Sequence, residues 1–188
     1  VTWSNNNLLN LVAGEYMLTV QDANGCLDDA PTAESITEPE TITITPTTLD
    51  VLCAEDGNGS ITVAADGGNG GFTYSFDGGL FSDTLSWMDL SGGIYMVDVM
   101  DSNDCMQSLE IEVNEPEALA GTLAATDISC NGDGNGSVTI DVTGGTEAYS
   151  YSLNGGDASS ENVFTDLEAD TYGIIVTDAN GCTFDGGT

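Results

Sequence analysis

Two sets of side chains in this sequence could do chemistry, and both recur at set intervals. The first is five cysteines, Cys26, Cys53, Cys105, Cys130 and Cys182, which could close disulfides or hold a soft metal. The second is Asp and Asn placed close together in short polar segments: Asp56-Gly57-Asn58, Asp101-Ser102-Asn103, Asp133-Gly134-Asn135 and Asp178-Ala179-Asn180. Calcium takes six to eight oxygens, and Asp, Asn and backbone carbonyls in glycine turns supply them. Asp56, Asn58, Asp101, Asn103, Asp133, Asn135, Asp178 and Asn180 are therefore candidate calcium ligands. Turn chemistry alone favours the same residues, and neither glycine-rich segment completes an EF-hand with a bidentate Glu at the twelfth position. No Cys-x-x-Cys pair exists, which argues against zinc.

The rest of the composition excludes much else. There is no Lys, Arg or His against 32 acidic residues, a formal charge of −32. Without cations there is no footprint for nucleic acid and no basic patch for an anionic membrane. Without His there is no Ser-His-Asp or Cys-His nucleophile and no imidazole base. Carboxylate pairs could still do acid–base work, but most acids here fall in turn segments and on the outward phase of strands. We expect no enzyme, no catalytic residue and no required cofactor, with calcium as the candidate ion. Such a surface implies high solubility and a demand for divalent counter-ions. A hydrophobic fraction of 40% with regular patterning nevertheless indicates a folded chain. No run approaches eighteen apolar residues, and no signal-like segment follows Val1. The chain reads as a window on a longer polypeptide, cut inside a repeat.

That repeat organises everything. Asp22-Ala23-Asn24-Gly25-Cys26, Asp101-Ser102-Asn103-Asp104-Cys105 and Asp178-Ala179-Asn180-Gly181-Cys182 are one motif, 79 and 77 residues apart. A second landmark, Cys53 to Val63 and Cys130 to Ile140, also repeats after 77 residues. In it Ile61, Val63 and Ala65 alternate with polar neighbours, as do Val138, Ile140 and Val142, the period of a half-buried strand. A Gly-Gly turn and an aromatic strand follow, Phe72 to Phe76 and Tyr149 to Leu153. Phe72, Tyr74 and Phe76 read as core rather than as a sugar-binding face. Next comes a Leu five residues before a Tyr (Leu11 and Tyr16, Leu90 and Tyr95, Leu167 and Tyr172) that opens another alternating strand. This spacing is that of a tyrosine corner. The Asp-x-Asn-x-Cys segment then closes the strand as a tight turn, and Glu38-Pro39 and Glu115-Pro116 mark module ends.

Short strands, frequent turns and no helical period predict an all-β chain of tandem Ig-like or fibronectin-like Greek-key β-sandwich modules, each of about 77 residues and six or seven strands. Residues 1–39 read as the C-terminal part of a repeat, 40–116 as a complete one, and 117–188 as one lacking most of its last strand. Proline stiffens the junctions, and almost no linker separates the modules, so a semi-rigid rod is expected.

Each complete module holds two cysteines 52 residues apart. The expected bridges are Cys53–Cys105 and Cys130–Cys182, with Cys26 bonded to a cysteine outside the chain. Closing such a loop stabilises by about 4 kcal/mol in the chain-entropy model. The rival pattern joins successive modules, Cys26 to Cys53 and Cys105 to Cys130. Either pattern places the protein outside a reducing cytosol.

These landmarks, taken in order, resemble the SprB repeat of gliding and surface-attached Bacteroidota: Cys, Gly-Ser-Ile-Thr-Val, Gly-Gly, an aromatic Tyr-Ser-Trp strand, Leu-x-x-Gly-x-Tyr-x-Val-x-Val-x-Asp-Ala-Asn-Gly-Cys and Ile-x-Glu-Pro. The likeness spans essentially the whole chain. Phe76 and Leu153 depart from the aromatic Trp kept at Trp3, Asp104 from the turn Gly, and Asp170 from the Gly before Tyr172. The resemblance implies very large secreted cell-surface proteins that serve as adhesins or filaments in attachment and gliding, exported by the type IX route. Expected partners are neighbouring repeats, identical chains in a filament and surface glycans, with no nucleic acid and no direct membrane contact. The alternatives are a glycan- or partner-binding module, or a spacer on a secreted enzyme. Asp83-Thr84-Leu85 fits the Asp-Ser/Thr-aliphatic pattern of O-glycosylation in these bacteria, making Thr84 a candidate acceptor.

Overall fold

A computed structural model describes the backbone of residues 2–4, 7–27 and 32–187, and side chains within 10–27 and 32–187. The described residues contain strands and turns but no helix. In the first copy, β1 (Thr2–Ser4) pairs with β2 (Asn7–Leu9), and β3 (Gly14–Leu18) pairs with β4 (Thr32–Ile36). The second module holds β5 (Thr43–Leu49), β6 (Gly59–Asp66), β7 (Thr73–Phe76), β8 (Ser86–Leu90), β9 (Gly93–Met100) and β10 (Met106–Val113). The third repeats them as β11 (Ala120–Thr126), β12 (Gly136–Thr143), β13 (Ser150–Leu153), β14 (Val163–Leu167), β15 (Gly173–Thr177) and β16 (Thr183–Gly187).

Each of these modules is a sandwich of two antiparallel three-stranded sheets, ordered β5-β6-β8 and β10-β9-β7, then β11-β12-β14 and β13-β15-β16. This is the A-B-E and C-F-G arrangement of immunoglobulin-type sandwiches without strand D, as the expected Ig-like class requires. The alternating residues meet between the sheets. Ile61 and Val63 from one face pack with Tyr74, Val97, Val99, Ile111 and Val113 from the other. Val138, Ile140, Tyr151, Ile174 and Val176 form the equivalent core. Phe76 stacks on Trp87 and Tyr95 at centroid distances of 4.6 and 5.2 Å, so this aromatic strand serves the core. The side chain of Trp3, aligned with Phe76 by sequence, lies outside the described residues. In the first copy, by contrast, Leu18 and Val20 are 41% and 60% exposed where Val97 and Val99 are buried, and among the described residues no second sheet covers the β3–β4 hairpin.

The tyrosine corner forms in all three copies. The hydroxyls of Tyr16, Tyr95 and Tyr172 donate to the carbonyls of Val12, Ser91 and Glu168 at 2.7, 2.9 and 3.0 Å.

Strand direction gives each module two distinct ends. At the entry end of the second module lie residues 40–42, the Gly67-Gly68 turn and the Asp101–Cys105 turn, joined by Gly68 N–H donating to Glu40 C=O at 2.8 Å. At the exit end lie the Cys53 loop, Leu90 to Gly93 and the end of β10, where Val51 N–H donates to Asn114 C=O at 2.9 Å. Gly67 (φ 81°) and Gly144 (φ 69°) sit where the chain enters. A Cβ on them would stand 2.3 and 2.1 Å from the carbonyl oxygens of Thr41 and Ala118. Left-handed backbone and a blocked Cβ together allow only glycine. Gly67→Ala should therefore cost about 2–3 kcal/mol, read as a lowered urea midpoint; an unchanged midpoint would show that the entry strand can shift at little cost.

Candidate functional site

Among the described residues the chemistry-bearing side chains gather at the module ends. Each Asp-x-Asn-x-Cys segment makes the same turn. The Asp N–H donates to the Cys carbonyl at 3.0 Å in all three copies. The Asp Oδ1 accepts from the Asn and Cys N–H groups: 2.9 and 2.8 Å at Asp22, 2.8 and 2.9 Å at Asp101, 2.9 and 2.9 Å at Asp178. Gly25, Asp104 and Gly181 take positive φ of 88°, 62° and 87° at the tip, which explains the Asn-Gly preference. In the two complete modules the second oxygen is also engaged. Asp101 Oδ2 accepts from Asn69 N at 2.9 Å, and Asp178 Oδ2 from Thr146 N at 2.8 Å, tying this turn to the Gly-Gly turn.

Both carboxylates are buried. N–H groups hold the Asp101 carboxyl down to about 2 from an ordinary 3.8, that of Asn69 most strongly, then those of Cys105 and Asn103, while burial opposes them. The Asp101 charge in turn raises the Cys105 thiol above its usual range.

At the exit end the repeat's Asn residues act as caps. Asn58 Oδ1 accepts from Leu52 N at 3.1 Å and Asn135 Oδ1 from Ser129 N at 3.0 Å, fixing the loops that carry Cys53 and Cys130. Sequence reasoning read Glu115 only as a boundary marker. Its carboxylate accepts from Glu55 N and Gly92 N, both at 2.7 Å, and these bonds hold its pKa below the carboxylate range, Glu55 contributing more. The recurring Glu-Pro pair was the available clue.

The expected disulfides are not those of the structure. Cys53 bonds to Cys182, with Cα atoms 5.6 Å apart and a sequence separation of 129, while Cys26, Cys105 and Cys130 are free and exposed. Neither the Cys53–Cys105 and Cys130–Cys182 pairs nor the Cys26–Cys53 and Cys105–Cys130 pairs occur. The reason is strand direction. Strands β7 and β8 both run towards the exit end, since each is antiparallel to a strand leaving it, and residues 77–85 double back between them. Cys53 and Cys105 thus lie at opposite ends, separated by the eight residues of β9, roughly 25 Å. A disulfide spans less than about 7 Å between Cα atoms. The exit end of the second module instead meets the entry end of the third. There Asn180 Nδ2 donates to the Leu52 carbonyl at 2.9 Å beside the Cys53–Cys182 bond.

Of the candidate calcium ligands, Asp101 and Asp178 spend both oxygens on N–H groups, and Asn58 and Asn135 cap their loops. Asp56 and Asp133 sit beside those caps, with Asn58 Nδ2 to Asp56 Oδ2 at 3.4 Å. Among the described residues, no group of three or more acidic or Cys side chains is placed to hold a metal ion. Thr84 is exposed in the connection before β8.

Repeated Ig-like sandwiches joined end to end through a disulfide define a tandem-repeat protein of the extended, modular kind. The model of the SprB repeat family matches it at two places, residues 45–81 and 122–158, the first half of each of these modules. No match was found among curated proteins. Among solved structures the chain is similar to the C-terminal 282-residue fragment of intimin, in complex with the translocated intimin receptor (Tir) intimin-binding domain. The identity is 17% and the TM-score 0.43, over 79% of this chain and 63% of that one.

A group held at low pKa stabilises the fold above its unfolded pKa and loses that contribution as pH falls through its folded value. Stability should hold above pH 3.8 and decline from there towards pH 2 as Asp101 protonates. Asp101→Asn should lower the melting temperature near neutral pH and flatten that acid limb; an unaltered limb would assign it to other carboxylates. Because the turn aspartates already accept N–H groups, chelator at a constant monovalent salt of about 0.15 M, where diffuse screening is maintained, should leave the melting temperature unchanged, and a fall would support a specific calcium site.

Proposed function

We propose that this chain is a structural length of a secreted bacterial cell-surface adhesin or extracellular filament, acting as a disulfide-stapled rod in attachment or gliding. The observation that carries this is the junction: modules meet end to end, the connection is a short Glu-Pro segment, and Cys53–Cys182 and Asn180–Leu52 tie the two ends together. Such a chain transmits tension and holds a distal binding region away from the cell. Its neighbours are further repeats of the same polypeptide, and export follows the type IX route that the SprB resemblance implies. The acidic surface draws divalent cations diffusely, screening repulsion between repeats. Catalysis plays no part in this reading.

One observation favours a binding module as the second reading. Leu80 and Met88 are 94% and 73% exposed on the second module, where the third has Asp157 and Thr165. Thr84 lies between them, and we propose it as the glycan acceptor; the intact mass of the secreted polypeptide's Thr84 peptide tests this.

In-frame removal of one 77-residue period from the surface polypeptide decides between the readings. A structural rod predicts fibres shorter by roughly 30 Å per module in micrographs, with secretion and partner binding retained. Unchanged fibre length, or binding lost with this module alone, would sink it in favour of the second.

A further inference from the structure

The junction seen once accounts for the three cysteines left free. The last turn of the third module presents three groups to the module before it. Asp178 shapes the turn, Asn180 donates to Leu52 C=O, and Cys182 bonds Cys53. The receiving loop, Leu52 to Asn58, is shaped by its own asparagine cap. Both halves exist elsewhere in the chain without partners. Asp22–Cys26 and Asp101–Cys105 make the presenting turn with the same hydrogen bonds, and Ser129–Asn135 makes the receiving loop with the same cap.

The surroundings of Cys105 match those of Cys182. A cleft of about 230 Å³ at the first junction is lined by Pro39, Thr41, Ile42, Asp101, Cys105 and Met106. At the second junction the corresponding wall, Ala118, Leu119, Cys182 and Thr183, faces Cys53, Ala54 and Asp56 across the cleft. Counting the 129 residues of the observed bond back from Cys26 and Cys105, or forward from Cys130, lands outside residues 1–188 in every case.

We propose that this is a repeating heterologous lock: the first cysteine of each repeat bonds the last cysteine of the repeat after it, so that Cys105 and Cys26 take the first-cysteine loops of the repeats preceding theirs and Cys130 takes the last turn of the repeat that follows. Each bond forms by thiol–disulfide exchange with a disulfide oxidant. The two cysteine thiols lose two protons and two electrons, the new S–S bond closes, and the oxidant leaves as its dithiol. The central Asn of the motif sets the register by its bond to the carbonyl beside the receiving cysteine. Because the interface is head to tail it does not close on itself, and it serves an array of any length. The inference rests on tandem repetition and deepens the rod reading; a disulfide map can fail it while the attachment reading stands.

Non-reducing peptide mapping after alkylation tests it on two chains. In the 188-residue chain, Cys53 should be found with Cys182, with Cys26, Cys105 and Cys130 alkylated. Lengthening the chain after Thr188 by a second copy of residues 112–188 should convert Cys130 from alkylated to bonded with the last cysteine of the added copy, again 129 residues away. Cys130 found with Cys182, or still fully alkylated, overturns the proposal. Cys182→Ser supplies the second reading in the original chain: Cys53 should become alkylated and no new bond should form. Cys53 bonded to Cys105 in that variant would return the disulfide to the interior of the module and end the idea.

Discussion

A buried carboxylate normally meets a cation, and this chain has none to offer. Asp101 and Asp178 instead accept hydrogen bonds from N–H groups on both carboxylate oxygens. That bonding organises the entry end of each module. One carboxylate gathers its own turn, through N–H groups two and four residues on, and the Gly-Gly turn 32 residues back. The Gly-Gly turn in turn grips the incoming strand through Gly68 N–H or Gly145 N–H. Three segments distant in sequence are thus held in register by one side chain, and the cysteine that crosses the junction is aimed by it. Glu115 does similar work at the opposite end, where it gathers Glu55 and Gly92. An all-acidic chain has turned its only plentiful charge into a structural ligand for its own backbone.

Most of the fold was legible because its determinants are local. Period-two alternation at Ile61-Val63 and Val97-Val99 marked the buried strands, and the five-residue Leu-to-Tyr spacing marked the tyrosine corner, which forms in every copy. The disulfide was not legible, because it depends on a direction that propensity does not encode. Four strands separate Cys53 from Cys105, and strands that alternated in direction would bring both to one end. Residues 77–85 carry no strand of their own, yet they return the chain along Tyr74, with Ser82 bridged to it, so β7 and β8 run the same way. Pairing the two cysteines held by one module took no account of that extra traverse. The candidate calcium residues show the complementary limit. Asp and Asn were correctly placed in turns, but whether their oxygens face a cation or an amide depends on three-dimensional arrangement.

The junction also explains why the family landmarks lie where they do. The SprB match ends before the Asp-x-Asn-x-Cys turn, so it covers the receiving loop and omits the presenting one. The two complementary halves of one interface therefore sit in different parts of the repeat, and a unit cut at Glu-Pro divides the interface between neighbours. Variation is tolerated accordingly. Asp104 replaces Gly25 and Gly181 while keeping a positive φ, and Ala13 and Ala169 stand where Gly92 approaches Glu115.

The Cys53–Cys182 bond changes how the chain can lengthen. Force applied at the two termini passes through the sulfur atoms, so the residues between them carry none of it. Only the segments before Cys53 and after Cys182 can be drawn out straight. Strands β6 to β15, which lie between the two cysteines, could lose their packing without adding contour length. Stapling across a boundary, rather than within a module, makes the strand a tether of nearly fixed reach.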